Sequence, residues 1–197
     1  VCFETAGMGA FKNSGEDFKR MFKSGGCVDL KIAANPTADA TRKGPVQGDL
    51  RLLIAPIKGK PTAILYEAEK PGAPENVQTT YATMVFKTEF DSVRVLPEVK
   101  IAQFPAEHGY VVEAAIPIKE LGLTISDDKT VKMDWGVIRT DQTGNGILGR
   151  YYWSNKATTI ISDVAAEAHL EPRLWGHIRF KGKKKSALDS SMNSGLL

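Results

Sequence analysis

Arg150-Tyr151-Tyr152-Trp153-Ser154-Asn155 is the run whose residue types best suit binding chemistry. A flat aromatic ring flanked by hydrogen-bonding side chains is what a protein needs to hold a sugar. The apolar C–H face of a pyranose packs on a ring, and each desolvated hydroxyl requires a partner. Just upstream, Asp141, Gln142, Thr143 and Asn145 cluster oxygens within a few residues, the ligand type that calcium prefers. The spacing is not that of an EF-hand, and a glycine-rich turn is the plainer reading. Carboxylates for glycoside hydrolysis are available at Asp29, Glu113, Asp134 and Asp141, but acidic residues on strands are common. There is no GxSxG nucleophile motif, and neither a CxxC nor a zinc-type Cys/His spacing. Catalysis by this chain is therefore not expected. Cys2 and Cys27 both fall in expected strands. They read either as a disulfide between neighbouring strands, which would suit an oxidising compartment, or as two buried thiols.

These residues need a scaffold, and the apolar pattern describes one. Residues 109–116 alternate, with Tyr110, Val112, Ala114 and Ile116 on one side, the period of a β-strand. Pro117 can open a helical turn and Gly122 can close it. A β-rich run follows over 131–140, then the Asp141–Gly146 turn. Val28, Leu30 and Ile32 point one way, with Asp29 and Lys31 the other. Residues 49–54 and 61–67 form a hairpin about Lys58-Gly59-Lys60. Further strands are expected over 1–5, 83–86, 92–96, 99–104 and 175–181. A short helix is expected over 16–23, with Phe18, Met21 and Phe22 on one side. Residues 35–48 and 69–76 are loops rich in turn-forming residues. Of the tyrosines at 151 and 152, alternation sends one into the core. Trp135 and Trp175 read as structural.

Many short alternating strands separated by turns predict an all-β protein, an antiparallel β-sandwich of immunoglobulin-like or jelly-roll order with one or two short helices. Repeated helical segments, which a parallel α/β fold requires, are absent. The chain of 197 residues is 42% hydrophobic and 25% charged. That suits one domain over 1–181 followed by a basic, disordered tail over 182–197. No apolar run approaches the roughly 18 residues of a membrane helix, so membrane insertion is not expected. The net charge is +3, and the lysines at 181 and 183–185 have no interleaved aromatics. Nucleic acid is therefore not an expected partner.

Three segments, YVVEAAIPIKELGL, YYWSN and the closing LWGHIRF, together with GGCVDLKI at 25–32, resemble the family 9 carbohydrate-binding modules and the wider DOMON-like β-sandwiches. The resemblance implies a non-catalytic carbohydrate-binding module within a larger secreted or periplasmic polysaccharide-processing protein. Its partners would be a poly- or oligosaccharide and other domains of that parent chain. Such modules have one or two strands before the position matching Val1, so an earlier strand is expected outside this sequence. The resemblance assigns carbohydrate contact to Trp153 as the stacking ring and to Asn155, Asp29 and Arg51 as readers of hydroxyls. On this reading Trp153→Ala abolishes binding and leaves the fold intact. A second ring to complete the family's clamp is not evident. Related sandwiches hold structural calcium, which makes Asp141 and Asn145 the candidate metal ligands. Two rival functions stand beside this one. A structural or protein-interaction sandwich would bind no small ligand. A haem-binding DOMON-type domain would draw axial ligands from Met8, Met84, His108, His169 and His177.

Overall fold

The strands pair antiparallel throughout, and the chain folds as a β-sandwich. The structure is a computed structural model that describes residues 1–158 and 163–181. In chain order its elements are β1 (Cys2–Glu4), α1 (Met21–Ser24), β2 (Cys27–Ala33), β3 (Asp49–Ile57), β4 (Lys60–Glu67), β5 (Thr79–Ala82), β6 (Lys87–Phe90), β7 (Ser92–Val95), β8 (Lys100–Ala106), β9 (Gly109–Ala115), β10 (Thr130–Thr140), β11 (Ile147–Tyr152), α2 (Val164–Ala168) and β12 (Gly176–Arg179). The larger sheet runs β11-β10-β2-β3-β4-β7. The long β10 pairs with β12 over its first half and with β11 over its second. The smaller sheet is β1-β9-β8, and β5 and β6 form a separate hairpin. No helix among the described residues is long and apolar enough to cross a membrane.

Local chemistry explains the connections. Lys58 and Gly59, at φ 49° and 80°, form a two-residue turn joining β3 to β4. The twist of such a turn matches that of the hairpin strands. Pro117 precedes a one-turn 3-10 helix over Ile118–Leu121, which Gly122 closes in the left-handed conformation at φ 57°. Glycine adopts that conformation without a steric penalty.

The larger sheet is buried on both faces. One face packs on the smaller sheet through Val28, Leu30, Ile32, Leu50, Leu52, Ile54, Tyr110 and Val112. The other lies under a cap made of α1, α2 and the β5–β6 hairpin, with Met21, Phe22, Leu53, Ile64, Tyr66, Phe90 and Trp175 between. The Asp29–Lys31 side of β2, which alternation alone would place in solvent, is therefore interior.

Three expectations change. Residues 83–86 are not a strand but the turn between β5 and β6. The Thr83 hydroxyl accepts from the Phe86 N–H at 3.1 Å, and such local bonds compete with a ladder. Cys2 and Cys27 are free thiols on different sheets, Cys2 exposed on β1 and Cys27 buried on β2, so they are not neighbours across one ladder. Burial, with Asp29 adding, pushes the Cys27 thiol up to about 12. The closing strand is shorter than 175–181: Trp175 lies outside it, buried under the cap. The expected tail over 182–197 lies outside the described residues.

Candidate functional site

The register brings Asp29 and Arg51 together. Asp29 sits opposite Leu53 and Arg51 opposite Lys31, so the two side chains share one face of adjacent strands. Arg51 Nη2 donates to Asp29 Oδ2 at 2.8 Å, and Arg51 Nε reaches both carboxylate oxygens at 3.2 Å. The pair is not solvent-facing: both side chains are buried. Arg51 Nη1 donates to the Glu167 carbonyl at 3.1 Å, and its guanidinium lies 4.8 Å from the centre of the Phe22 ring. The Tyr152 hydroxyl donates to Asp29 Oδ2 from the other side. Burial opposes the charge on Asp29, but Arg51 and Lys31 outweigh it and hold the carboxyl below its ordinary value. Burial, then Asp29, pushes the Tyr152 phenol well up, so it stays a donor.

Gly136 makes this reach feasible. It faces Tyr152 across the β10–β11 ladder, and a Cβ there would come within 2.7 Å of Tyr152 Cδ1. The open position admits the ring over β10 toward β2.

The cap brings further charge to this face. Asp163 caps α2 by accepting from Ala166 N–H at 2.9 Å and accepts from the Thr83 hydroxyl at 2.8 Å, tying α2 to the β5–β6 hairpin. An aspartate at this position satisfies a helix N–H that otherwise lacks a partner. So anchored, α2 directs Glu167 inward, where Lys23 Nζ approaches at 2.7 Å and Arg150 Nη2 donates to the other oxygen. Lys31 stands 3.9 Å over the Tyr152 ring.

Between these groups lies a pocket of about 140 Å³. Its polar lining includes Lys31, Arg150, Asn155, Thr158, His169 and Glu171, and its rings are Tyr152 and Trp175. The volume is below the roughly 300 Å³ at which drug-sized sites begin, so the occupant it suits is one small ring or the end of a chain. Larger hollows beside β1 and β8 and between residues 7–12 and β8 are open grooves lined mostly by apolar residues and backbone.

Asn155 belongs to this pocket. Its N–H and that of Ser154 donate to Asp134, at 3.0 and 2.8 Å, which fixes the turn after β11. Trp153 does not belong. It follows Tyr152 by one residue and so points to the opposite face. There it stacks on Trp135 with centroids 4.4 Å apart and planes 2° from parallel. The four expected carbohydrate contacts thus divide. Asp29 and Arg51 form a buried pair beneath the pocket, Asn155 lines it, and Trp153 lies across the sheet with one face covered by Trp135. Trp153 is 43% exposed. Trp153→Ala should cost about 2 kcal/mol, from the lost stack and its area. Thermal unfolding of this variant is the check. A variant that does not fold at all would contradict this peripheral placement.

Asp141 serves its own loop. Its Oδ1 accepts from Thr143 N, Thr143 Oγ1, Gly144 N and Asn145 N at 2.7–3.2 Å, and Oδ2 accepts from Gly146 N at 3.1 Å. The Thr143 hydroxyl leads in drawing its carboxyl below the ordinary value. Asn145 Oδ1 accepts from Ser14. A carboxylate ringed by N–H and O–H donors is the arrangement of an Asx turn. Among the described residues no group of three or more His, Cys, Asp or Glu could hold a metal. The histidines named as haem candidates, His108, His169 and His177, line three different hollows.

Lys31 and Glu167 carry no site signal in the sequence, and Arg150 and Tyr152 stand out there only as neighbours of Trp153. One signal was available: LLIA at 52–55 and AILY at 63–66 are unbroken apolar runs, as expected of strands covered on both faces. No protein-family model matches the sequence, and no curated protein matches it.

Proposed function

We propose that this chain is a non-catalytic carbohydrate-binding module that takes a single sugar residue or a chain end in the pocket beneath α2. One observation carries the reading. Donors, acceptors and two aromatic rings converge on a hollow sized for one ring, over a rigid buried Asp29–Arg51–Tyr152 network. Sugar recognition needs both hydrogen-bond signs at fixed positions, and a network without rotational freedom supplies that preorganisation. Asn155 and Glu171 would read hydroxyls, with Tyr152 and Trp175 flanking the ring. Asp29 and Arg51 act beneath the ligand rather than on it. The resemblance to family 9 modules supports the same class and suggests a secreted or periplasmic polysaccharide-processing parent.

A glycan array with the purified chain, repeated with EDTA and with added calcium, tests this. Binding should fall on one class of glycan and be unchanged by EDTA. It should weaken at least tenfold in Asn155→Ala and persist in Trp153→Ala. Loss in Trp153→Ala alone would move the site to the opposite face. Silence across the array would favour the second reading, a protein-interaction sandwich. Met84 and Val85 support that alternative, because the tip of the β5–β6 hairpin presents both to solvent, and exposed apolar side chains grouped together mark contact surfaces.

A further inference from the structure

Charge in and around the pocket does not balance. Asp29 is matched by Arg51, and Glu167 lies between Lys23 and Arg150. Glu171 pairs with Arg173 at 2.5 Å. Asp134 accepts the N–H groups of Trp135, Ser154 and Asn155. Lys31, opposite Asp134 in the β2–β10 ladder, is the cation among these groups that makes no ion pair. It is only 6% exposed, and among the described residues its ammonium has no hydrogen-bond acceptor, only the face of Tyr152. Arg150 lines the same pocket but is engaged, its Nη2 donating to Glu167 and to the Phe22 carbonyl and its Nε closed off from water. A cation held almost out of water without an acceptor is costly, and a carboxylate entering the pocket could accept from it.

We propose that the pocket selects an acidic monosaccharide of the hexuronic class, its carboxylate received by Lys31 Nζ. The inference rests on the carbohydrate reading and specifies its ligand. The carboxylates already present do not repel such a ligand strongly, because each is neutralised or saturated by its own donors. Hydroxyls of the same sugar would meet Asn155, Thr158, His169 and Glu171. Burial pushes the Lys31 amine down to about 8, Asp29 opposing and Arg51 adding to the drop. The other charged and titratable groups around it include Asp134, Arg150, Tyr152, Glu167, His169, Glu171, Lys23 and Arg173. A bound carboxylate would hold the amine protonated, so uronate affinity should fall as pH rises past about 8.

The test is calorimetric titration of the full chain with glucuronate, galacturonate, glucose, galactose and acetate, on the parent protein and on Lys31→Met. At least one uronate should bind tenfold or more tighter than its neutral hexose, and Lys31→Met should erase that preference. Equal affinity for uronate and hexose, or a preference that survives in Lys31→Met, overturns the inference and leaves the carbohydrate reading standing. Acetate binding as tightly as either uronate would overturn both, since the site would then recognise an anion and not a sugar. No binding of any of the five at millimolar concentration also overturns both.

Discussion

Arg51→Met should lower the free energy of unfolding by about 3–5 kcal/mol at neutral pH, the cost of leaving a buried charge without its partner. The substitution keeps most of the side-chain volume, so a cavity is not the cause. Asp29 would lose the 2.8 Å bond and both 3.2 Å contacts, and the Glu167 carbonyl would lose a donor. The pH dependence gives a second signature. In the parent, Arg51 and Lys31 overcome burial and the Asp29 carboxyl sits low. A depressed carboxyl contributes stability that is present above its unfolded value of about 3.9 and lost as pH falls through the folded value. In Arg51→Met burial would prevail and raise the carboxyl, so the variant regains stability as Asp29 protonates. Its deficit should therefore be largest near pH 7 and shrink toward pH 4. Urea unfolding at pH 7 and 4.5 measures this. Adding Asp29→Asn to Arg51→Met should restore at least half of the loss, because Asn still accepts from Tyr152 and no charge remains. A deficit under about 1 kcal/mol at pH 7 would mean the pair behaves as a surface pair.

Lys31→Met should have the opposite effect. Burial first, and Arg51 among the rest, bring the Lys31 amine from 10.5 to about 8 in the fold. Between those values the unfolded chain binds the proton and the folded chain does not, so this group makes stability rise with pH through that window. Below pH 8 its charge costs about 3 kcal/mol. Met fills the same space over Tyr152 without the charge. The variant should exceed the parent by up to about 3 kcal/mol at pH 7, and the difference should close by about pH 10.5. Cys27 and Tyr152, both raised by burial, lose stability as pH rises through the alkaline range. They do so in both proteins, so the comparison removes them. Urea unfolding of the two proteins at pH 7 and 9.5 suffices. A variant less stable than the parent at pH 7 would show that Lys31 has a native counter-charge. If the stability gain and the loss of uronate preference occur together, Lys31 is a group whose burial the fold tolerates for its ligand.

Periodicity alone determined much of the architecture. The alternation in 109–116 and 27–33, the Lys58-Gly59 turn and the Pro117–Gly122 helical turn are local features, set by side-chain period and by residues whose φ is restricted or free. Each appears where local rules put it. Residues 83–86 are the counter-example, where apolar composition suggested a strand and a threonine hydroxyl made a turn instead.

The site depended on relations that no local rule contains. Alternation correctly separates Asp29 and Lys31 from Val28, Leu30 and Ile32, but it cannot say whether water or protein covers the other face. Here α1, α2 and a hairpin from distant parts of the chain cover it, which turns an apparent surface pair into a buried network. The sequence neighbours Tyr152 and Trp153 part for the same reason. One strand position sends Tyr152 under the cap to Asp29 and the next sends Trp153 across the sheet to Trp135. Strand period was therefore determined by the sequence itself. Which charges are desolvated, which are paired and which cation makes no ion pair were decided only by tertiary packing, because burial and charge balance belong to all the layers that meet at a point.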